Sequence, residues 1–527
     1  MDKFITKLKA NYFFVLLSIA TVVIYLLFSG NSPLYALNPW QDTNAMYTMG
    51  SVLLHGGVPY RDAFEQRGLV LYVIYAIANI FPKYIGLWLI EIIISIASMA
   101  IIYKLTGKIA QLFKANLAKN YKFVIAFIAS ISMIVNFSYV CGGAPEQMEF
   151  PLFCLLLLHL MTFIDSKKYS LKTATIDGVM LGLVFWLKYA DIGMFVGFFI
   201  FIGGVLLFTK NFKKIIQVIG ASLAGFAGVS SLVVLYFVIT NSLKYMIEYY
   251  FAVNMSYGVS NSGTNKFVYV LSNIGWSMAN HLIYTGLLAI LFGASVFLVL
   301  GNAYLPEEKE AKSRKIQLLI SLVLMFVPTA MISHLGLSHN EYYFLVFMPF
   351  VTVAWIYVFV WFDLRWDKPI DARGSIVITV VAMVLIFATT PIINHWIGEF
   401  DKAGMATPQS IFAKKMHKLE KNPTMIQYYM IDQGFFKAAK IIPNHRFFER
   451  PYIDPRIWPE NVEAQKKYIE DKSISFVVIS FQGEYDVSEL NASSYVSPEI
   501  LKNYKVVSSA THIYPGAMKT HILLHKR

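Results

Sequence analysis

One carboxylate, Asp42, follows the first long apolar segment of the sequence by only a few residues. A carboxylate at the water edge of a bilayer remains ionised at little cost, and it can take a proton from a substrate hydroxyl as a general base. Asp42 also precedes Thr43 and Tyr47 at a predicted helix start, so the alternative is that it caps that helix. Its position favours an enzyme over a channel.

A second polar segment, residues 56–68, carries two carboxylates and two arginines close together. They are Arg61, Asp62, Glu65 and Arg67. Carboxylates bind sugar hydroxyls, and arginine binds phosphate through paired hydrogen bonds. This spacing predicts a site for a sugar or a phosphate, and the alternative is a charged surface loop.

Two further ionisable residues flank apolar segments. Glu146 begins one segment, where a carboxylate also stabilises a helix N-terminus. Lys188 ends another and is followed by Asp191, with which it can pair. A lysine at the depth of lipid headgroups can bind a phosphate as a compact charge.

Ionisable residues from separate segments are predicted to lie at the same membrane rim. They are Asp42, Asp62, Glu65, Arg67, Glu91, Glu146, Glu149, Lys188, Asp191, His339 and Glu341. Charged groups near apolar spans are costly and therefore mark candidate functional sites. Taken singly, each has the alternative of a solvated loop residue, but together they favour a site for a charged lipid headgroup.

The composition predicts a polytopic membrane protein with an all-α membrane domain. Of 527 residues, 57% are hydrophobic and 15% are charged, whereas soluble domains contain about 25% charged residues. About 11 segments are long enough to span a bilayer. They are roughly 12–29, 84–103, 121–139, 148–165, 173–189, 190–208, 215–239, 281–300, 316–333, 342–362 and 375–393. The net charge of +13 is attributed to lysine-rich loops between spans rather than to nucleic-acid binding.

Lys and Arg are concentrated in alternate loops, which predicts a cytoplasmic N-terminus and an extracytoplasmic C-terminus. Residues 1–394 then form the membrane domain, with an outer loop at 30–83 in which residues 69–82 form a helix on the membrane surface. Residues 395–527 regain charge and are predicted to form a small extracytoplasmic α/β domain behind the linker 399–407. Its strands are expected at 473–480 and 521–524, and its helices between 409 and 472.

Several site classes have no support in the sequence. Cys141 and Cys154 show no disulfide or metal spacing, and no His/Cys zinc pattern or phosphate-binding loop is present. No cofactor is therefore expected, a divalent metal is possible but unsupported, and nucleotide-driven transport is unsupported.

The order of these motifs resembles the GT-C membrane glycosyltransferases, in the branch of protein O-mannosyltransferases and lipid A aminoarabinose transferases. The resemblance rests on Asp42 in an early outer loop, the segment 60–69, Glu146, Lys188 and the tyrosine-rich segment 342–349. Two departures are clear. Thr43 replaces the second acid of an Asp-Glu pair, and residues 66–68 (Gln-Arg-Gly) replace Lys-Pro-Pro.

The resemblance implies transfer of a monosaccharide from a polyprenyl-phosphate donor to an extracytoplasmic glycan or glycolipid. A cell-wall polysaccharide or teichoic acid in a bacterial plasma membrane is the expected setting. Asp42 is expected to be the catalytic base. The expected substrate-binding residues are Arg67 and Lys188 at the phosphate, Asp62, Glu65 and Glu146 at the sugar or acceptor, and His339 and Tyr343.

Two other functions are compatible with an amphipathic site in a membrane. A transporter or flippase of a lipid-linked glycan would need no base, but would be expected to show repeated halves or midplane charges, and only Glu91 fits the latter. A polysaccharide polymerase or ligase would be expected to carry clusters of outer-loop arginine and histidine, which this sequence lacks.

Overall fold

The computed structural model describes residues 11–257, 266–301, 309–335, 340–365, 370–394, 396–450, 453, 455, 458–493 and 496–527. Helices α1 to α9 span Tyr12–Phe28, Gln41–Leu54, Leu69–Asn79, Ile85–Leu112, Lys119–Val135, Pro145–Ser166, Leu171–Lys188, Gly193–Phe208 and Phe212–Ile239. Helices α10 to α16 span Leu243–Met246, Asn254–Tyr257, Lys266–Asn280, Leu282–Gly301, Lys309–Ser333, Met348–Arg365 and Ala372–Ile393. A π-helix at Ile247–Val253 joins α10 to α11, and shorter 3-10 turns include Tyr189–Asp191 and Glu341–Phe347.

Each of the eleven predicted spans overlaps one helix, because a continuous apolar run of this length has few other stable forms in a bilayer. By length and composition, six segments in the described part of the chain can cross a membrane: α4, α6, α9, α14, Glu341–Arg365 and α16. The pair α12–α13, bent by 101°, gives a seventh if it is one span. The chain is a multi-pass membrane protein, but the predicted count of eleven spans is not confirmed.

Helices α2 and α3 lie at one end of the bundle, in the segment between α1 and α4. The apolar stretch 69–82, predicted to form a helix on the membrane surface, contains the helix α3, which ends at Asn79 before Pro82. Tyr47 of α2 packs edge-on against Tyr75 of α3, with ring centroids 5.3 Å apart. This end of the bundle, from which α2 and α3 project, is called the site end below.

Basic residues from two helices meet one acid at the opposite end of the bundle. Asp165, at the end of α6, accepts hydrogen bonds from Lys108 at 2.8 Å and from Arg314 at 3.0 Å. These residues belong to three different helices, α6, α4 and α14. Lys108 and Arg314, two of the basic residues predicted to share one side, therefore meet at Asp165, away from the site end.

The C-terminal part is a small α/β unit that contains a four-stranded sheet. Helices α17 to α20 span Pro408–Leu419, Phe435–Ala439, Glu460–Glu470 and Pro498–Asn503. Strands β1 to β4 span Met425–Gln427, Phe476–Gln482, Tyr504–Tyr514 and Ala517–Lys526, in the spatial order β1-β2-β4-β3. β1 pairs with β2 in parallel, whereas β2 and β3 both pair with β4 antiparallel. The two strands predicted from sequence are β2 and β4, and both carry buried apolar runs.

The predicted linker at 399–407 contacts the segment that precedes α2. The amide of Ala36 donates to the carbonyl of Asp401, and the amide of Ala403 donates to that of Leu34, both at 2.8 Å. These bonds tie the C-terminal unit to the site end at the point where the chain leaves the membrane helices.

Candidate functional site

Asp42 lies in the first turn of α2, which begins at Gln41 with Trp40 as its N-cap residue. Its carboxylate is therefore not the cap, and it is free to bond elsewhere. Asp42 is buried, and its Oδ2 accepts a hydrogen bond of 2.6 Å from Nη2 of Arg67. The position predicted for a catalytic base is thus one half of a charge-assisted pair.

Glu65 fixes the guanidinium of Arg67. Glu65 is 3% exposed and contacts Nη1 of Arg67. Its carboxylate also accepts a hydrogen bond of 2.9 Å from the backbone amide of Arg67. The hydroxyl of Tyr72 donates to the same carboxylate at 2.7 Å. With its oxygens occupied by these donors, Glu65 holds Arg67 in one orientation.

A close backbone approach brings Arg67 beside the end of α7. The amide of Gly68 donates to the carbonyl of Leu187 at 3.1 Å. A Cβ at position 68 would lie 1.9 Å from the carbonyl oxygen of Trp186, so only glycine fits there. The Gly68 that departs from the family pattern therefore sets the distance between Arg67 and Lys188.

Lys188 lies over an aromatic ring and between carboxylates. Its Nζ contacts Glu146, lies 3.4 Å from Oδ2 of Asp191, and lies 4.5 Å from the ring centroid of Tyr343. The ring of Tyr342 is 5.4 Å from the same Nζ. Glu146, and not only the sequence neighbour Asp191, is therefore a partner of Lys188.

Tyr342 links the two cations. Nη2 of Arg67 donates to its hydroxyl at 3.2 Å, and its ring faces Lys188. Trp40 packs against the same ring, with centroids 5.1 Å apart. Sequence reasoning missed this role of Tyr342, although its neighbour Tyr343 was predicted to bind substrate.

Carboxylates outnumber cations around Lys188. Glu146, Glu149 and Asp191 are all buried, and Glu149 lies within electrostatic range of both Asp191 and Lys188. One buried lysine faces three acids, so its charge alone does not balance theirs. Glu149 was predicted only as a rim residue, and the structure brings it into this cluster.

The threonine that replaces the second acid of the family has a defined role. Thr43 Oγ1 donates to the carbonyl of Gly142 at 2.9 Å, a bond that an ionised carboxylate has no proton to make. Gly142 and Gly143 adopt φ of +89° and +96°, which glycine tolerates best. The hydrogen bond from Thr43 holds this turn, which directly precedes α6, against α2.

One predicted substrate-binding residue, Asp62, lies outside this constellation. Asp62 forms an ion pair with Arg61 at 2.8 Å, and its carboxylate accepts a hydrogen bond from the backbone amide of Val58, also at 2.8 Å. The hydrogen bond from Arg61 lowers the pKa of Asp62 below its ordinary value, and the pair closes the turn that precedes Glu65. His339 falls outside the described residues.

Glu91, the one midplane charge considered for a transporter, is fully enclosed by hydrogen bonds. It is 0% exposed and accepts from Ser29 at 2.6 Å, and from Asn31 and Tyr139 at 3.1 Å each. These donors satisfy the carboxyl and join α4 to the segment after α1. Among the described residues, no group of three or more His, Cys, Asp or Glu side chains is arranged to hold a metal ion.

Comparison with known proteins supports the fold at very low sequence identity. No family model matches the chain, and no curated protein matches it in sequence. The crystal structure of ArnT from Cupriavidus metallidurans, bound to undecaprenyl phosphate, superposes with a TM-score of 0.59 at 10% identity, covering 97% of this chain and 98% of ArnT. The arabinofuranosyltransferase AftD from Mycobacteria gives a TM-score of 0.48 at 10% identity, over 98% of this chain and 41% of AftD. The chain has the GT-C fold that the sequence motifs predicted.

Proposed function

We propose that this protein is a membrane glycosyltransferase that moves a monosaccharide from a polyprenyl-phosphate donor to an extracytoplasmic hydroxyl acceptor. The observation that carries the proposal is the meeting of the Asp42–Arg67 pair with Lys188 across Tyr342. A base and two cations at one point are what glycosyl transfer from a lipid phosphate needs. ArnT, which shares the fold, has been crystallised with undecaprenyl phosphate, and this supports a lipid of that class.

The chemistry assigns one role to each group. Asp42 takes the proton of the acceptor hydroxyl, whose oxygen forms a bond to the anomeric carbon of the donor sugar. The bond from that carbon to the phosphate oxygen breaks, and the polyprenyl phosphate leaves with the electron pair. Arg67 and Lys188 stabilise the charge that develops on the leaving phosphate.

The acidic residues suit the sugar better than the phosphate. The contact with Lys188 positions Glu146. Its carboxylate can therefore accept hydrogen bonds from sugar hydroxyls beside the phosphate that Arg67 and Lys188 bind. Tyr343, whose ring faces Lys188, offers a flat apolar surface for a pyranose or furanose ring. Glu65 acts through Arg67, whose guanidinium it holds.

A reconstituted transfer assay tests this function against the flippase alternative. Purified protein in liposomes is supplied with a panel of undecaprenyl-phosphate monosaccharides and a cell-wall glycan fraction, and released undecaprenyl phosphate is measured by mass spectrometry. Protein-dependent release supports a transferase. Movement of an intact lipid-linked sugar across the bilayer without release would instead establish a flippase. Glu91 does not favour a flippase, because its carboxyl group already accepts hydrogen bonds from three side chains.

The acceptor is proposed to be a cell-wall polysaccharide, teichoic acid or glycolipid of a bacterium, with the site end facing outward.

The proposed orientation can be tested by cysteine labelling. Cys141 and Cys154 are both buried, so added cysteines can be labelled against a low background. We expect Ser488→Cys in the C-terminal unit to react with an impermeant thiol reagent in intact cells. Ser313→Cys, at the opposite end, is expected to react only after permeabilisation, and the reverse pattern would invert the proposed orientation.

A further inference from the structure

The helix that carries Asp42 is held by the C-terminal unit at a point beyond the site. Thr48 of α2 donates its hydroxyl to Oδ2 of Asp432 at 2.6 Å, and both residues are buried. Thr48 follows Asp42 by six residues, or about 9 Å along a helix. A displacement of Thr48 therefore moves Asp42 with it.

Asp432 is itself fixed by a complete set of partners. Its Oδ1 accepts from the amide of Gly434 at 2.8 Å and from Nε2 of Gln427 at 3.1 Å. Its own amide donates to Oε2 of Glu449 at 2.7 Å. Burial raises the pKa of Asp432 to about 6, so near pH 7 the group is mostly a carboxylate and a strong acceptor for Thr48.

Glu449 connects this network electrostatically to the site. It is 2% exposed. Burial, followed by the nearby carboxylates of Asp432, Glu65 and Asp42, holds its pKa well above the ordinary value. Its Oε2 accepts a hydrogen bond from the amide of Asp432, so Glu449 fixes the segment that carries Asp432.

We propose that the C-terminal unit supplies two positioning residues to the reaction centre. Asp432, through Thr48, fixes α2 so that Asp42 faces Arg67, and Glu449 fixes Asp432. The C-terminal unit thus takes part in the site and is not a separate binding domain. This positioning role rests on the proposed function only in taking Asp42 as the base.

The kinetic test removes the hydroxyl without changing the shape of the side chain. Thr48→Val is expected to lower kcat for sugar transfer by roughly 10- to 100-fold, because small misplacements of a catalytic group are costly. The KM for the donor should change less than twofold, since Arg67 and Lys188 remain. Thr48→Ser keeps the hydroxyl and should retain most of the activity. Adding Asp432→Asn to Thr48→Val should reduce kcat little further, because both substitutions act through the same hydrogen bond between Thr48 and Asp432.

A matched control lies elsewhere on the same interface. Glu460 accepts the hydroxyl of Tyr249 at 2.9 and 3.0 Å, so it also joins the C-terminal unit to the membrane helices, but not to α2. Glu460→Gln is expected to leave kcat unchanged. If Thr48→Val keeps kcat within twofold, or if Glu460→Gln lowers it equally, the positioning role is wrong.

Hydrogen exchange separates this inference from the proposed function. In Thr48→Val and Asp432→Asn, amides of residues 45–54 are expected to exchange at least several-fold faster, and in Glu460→Gln they should match the wild type. Faster exchange in these two variants would support the positioning role even if no donor in the panel were consumed. A failure to consume any donor would count only against the glycosyltransferase proposal. Unchanged exchange in both variants would overturn the inference whatever the transfer assay gives.

Discussion

Asp42→Asn is expected to lower the rate of sugar transfer by roughly 10²- to 10⁴-fold, the usual effect of losing a general base. The amide keeps the size of the side chain, and its oxygen can still accept the 2.6 Å bond from Arg67. It cannot take a proton from the acceptor at neutral pH. The measurement is kcat for release of undecaprenyl phosphate from a consumed donor, with the melting temperature in detergent as the check on folding.

Asp165→Asn is the matched control for Asp42→Asn. Asp165 is also a carboxylate paired with an arginine, Arg314, but it lies at the end of the bundle opposite the site. It should keep near-normal transfer with a similar melting temperature. Near-normal transfer by Asp42→Asn would remove Asp42 as the base and leave only its pairing with Arg67.

The membrane helices were largely predictable because one physical rule governs them. A bilayer offers no partner for free backbone groups, so an apolar run of sufficient length becomes helical. Whether each helix crosses the membrane is harder to predict. Helices such as α1, with 17 residues, and α8, with 16, fall near the minimum spanning length.

The sheet was only half predictable. β2 and β4 have continuous buried apolar cores, and that pattern is visible in the sequence. Between its two buried ends, β3 alternates exposed and partly buried residues, and polar residues interrupt its apolar ones, so no long apolar run marks it. β1 is three residues long, and its pairing with β2 depends on contacts distant in sequence.

The site divides in the same way between local and distant contacts. Glu65 and Arg67 were both identified because they lie two residues apart in a polar loop. The link through Tyr342 depends on packing across 275 positions, and that of Thr48 to Asp432 across 384. Neither contact leaves a local pattern. The role of Thr43 could have been suspected, since a hydroxyl in place of an acid suggests a donor.

Lys188→Ala is expected to raise the KM for the polyprenyl-phosphate sugar by roughly 10- to 100-fold, with a smaller loss in kcat. The basis is the usual strength of a hydrogen bond to a charged group. The alternative is that Lys188 only neutralises the buried acids Glu146 and Asp191 that it contacts. In that case its loss leaves unpaired carboxylates, and the defect should appear as instability.

A second substitution separates phosphate binding from neutralisation. If Lys188 serves only to neutralise, Lys188→Ala combined with Asp191→Asn should recover much of the lost stability and activity, because one unpaired carboxylate is gone. If Lys188 binds the phosphate, the double variant keeps the raised donor KM even where its stability recovers. Lys188→Arg should restore binding in part, since it keeps the charge in a different shape. Full rescue of KM by Asp191→Asn would assign Lys188 to the acidic cluster and leave Arg67 as the only proposed phosphate-binding cation.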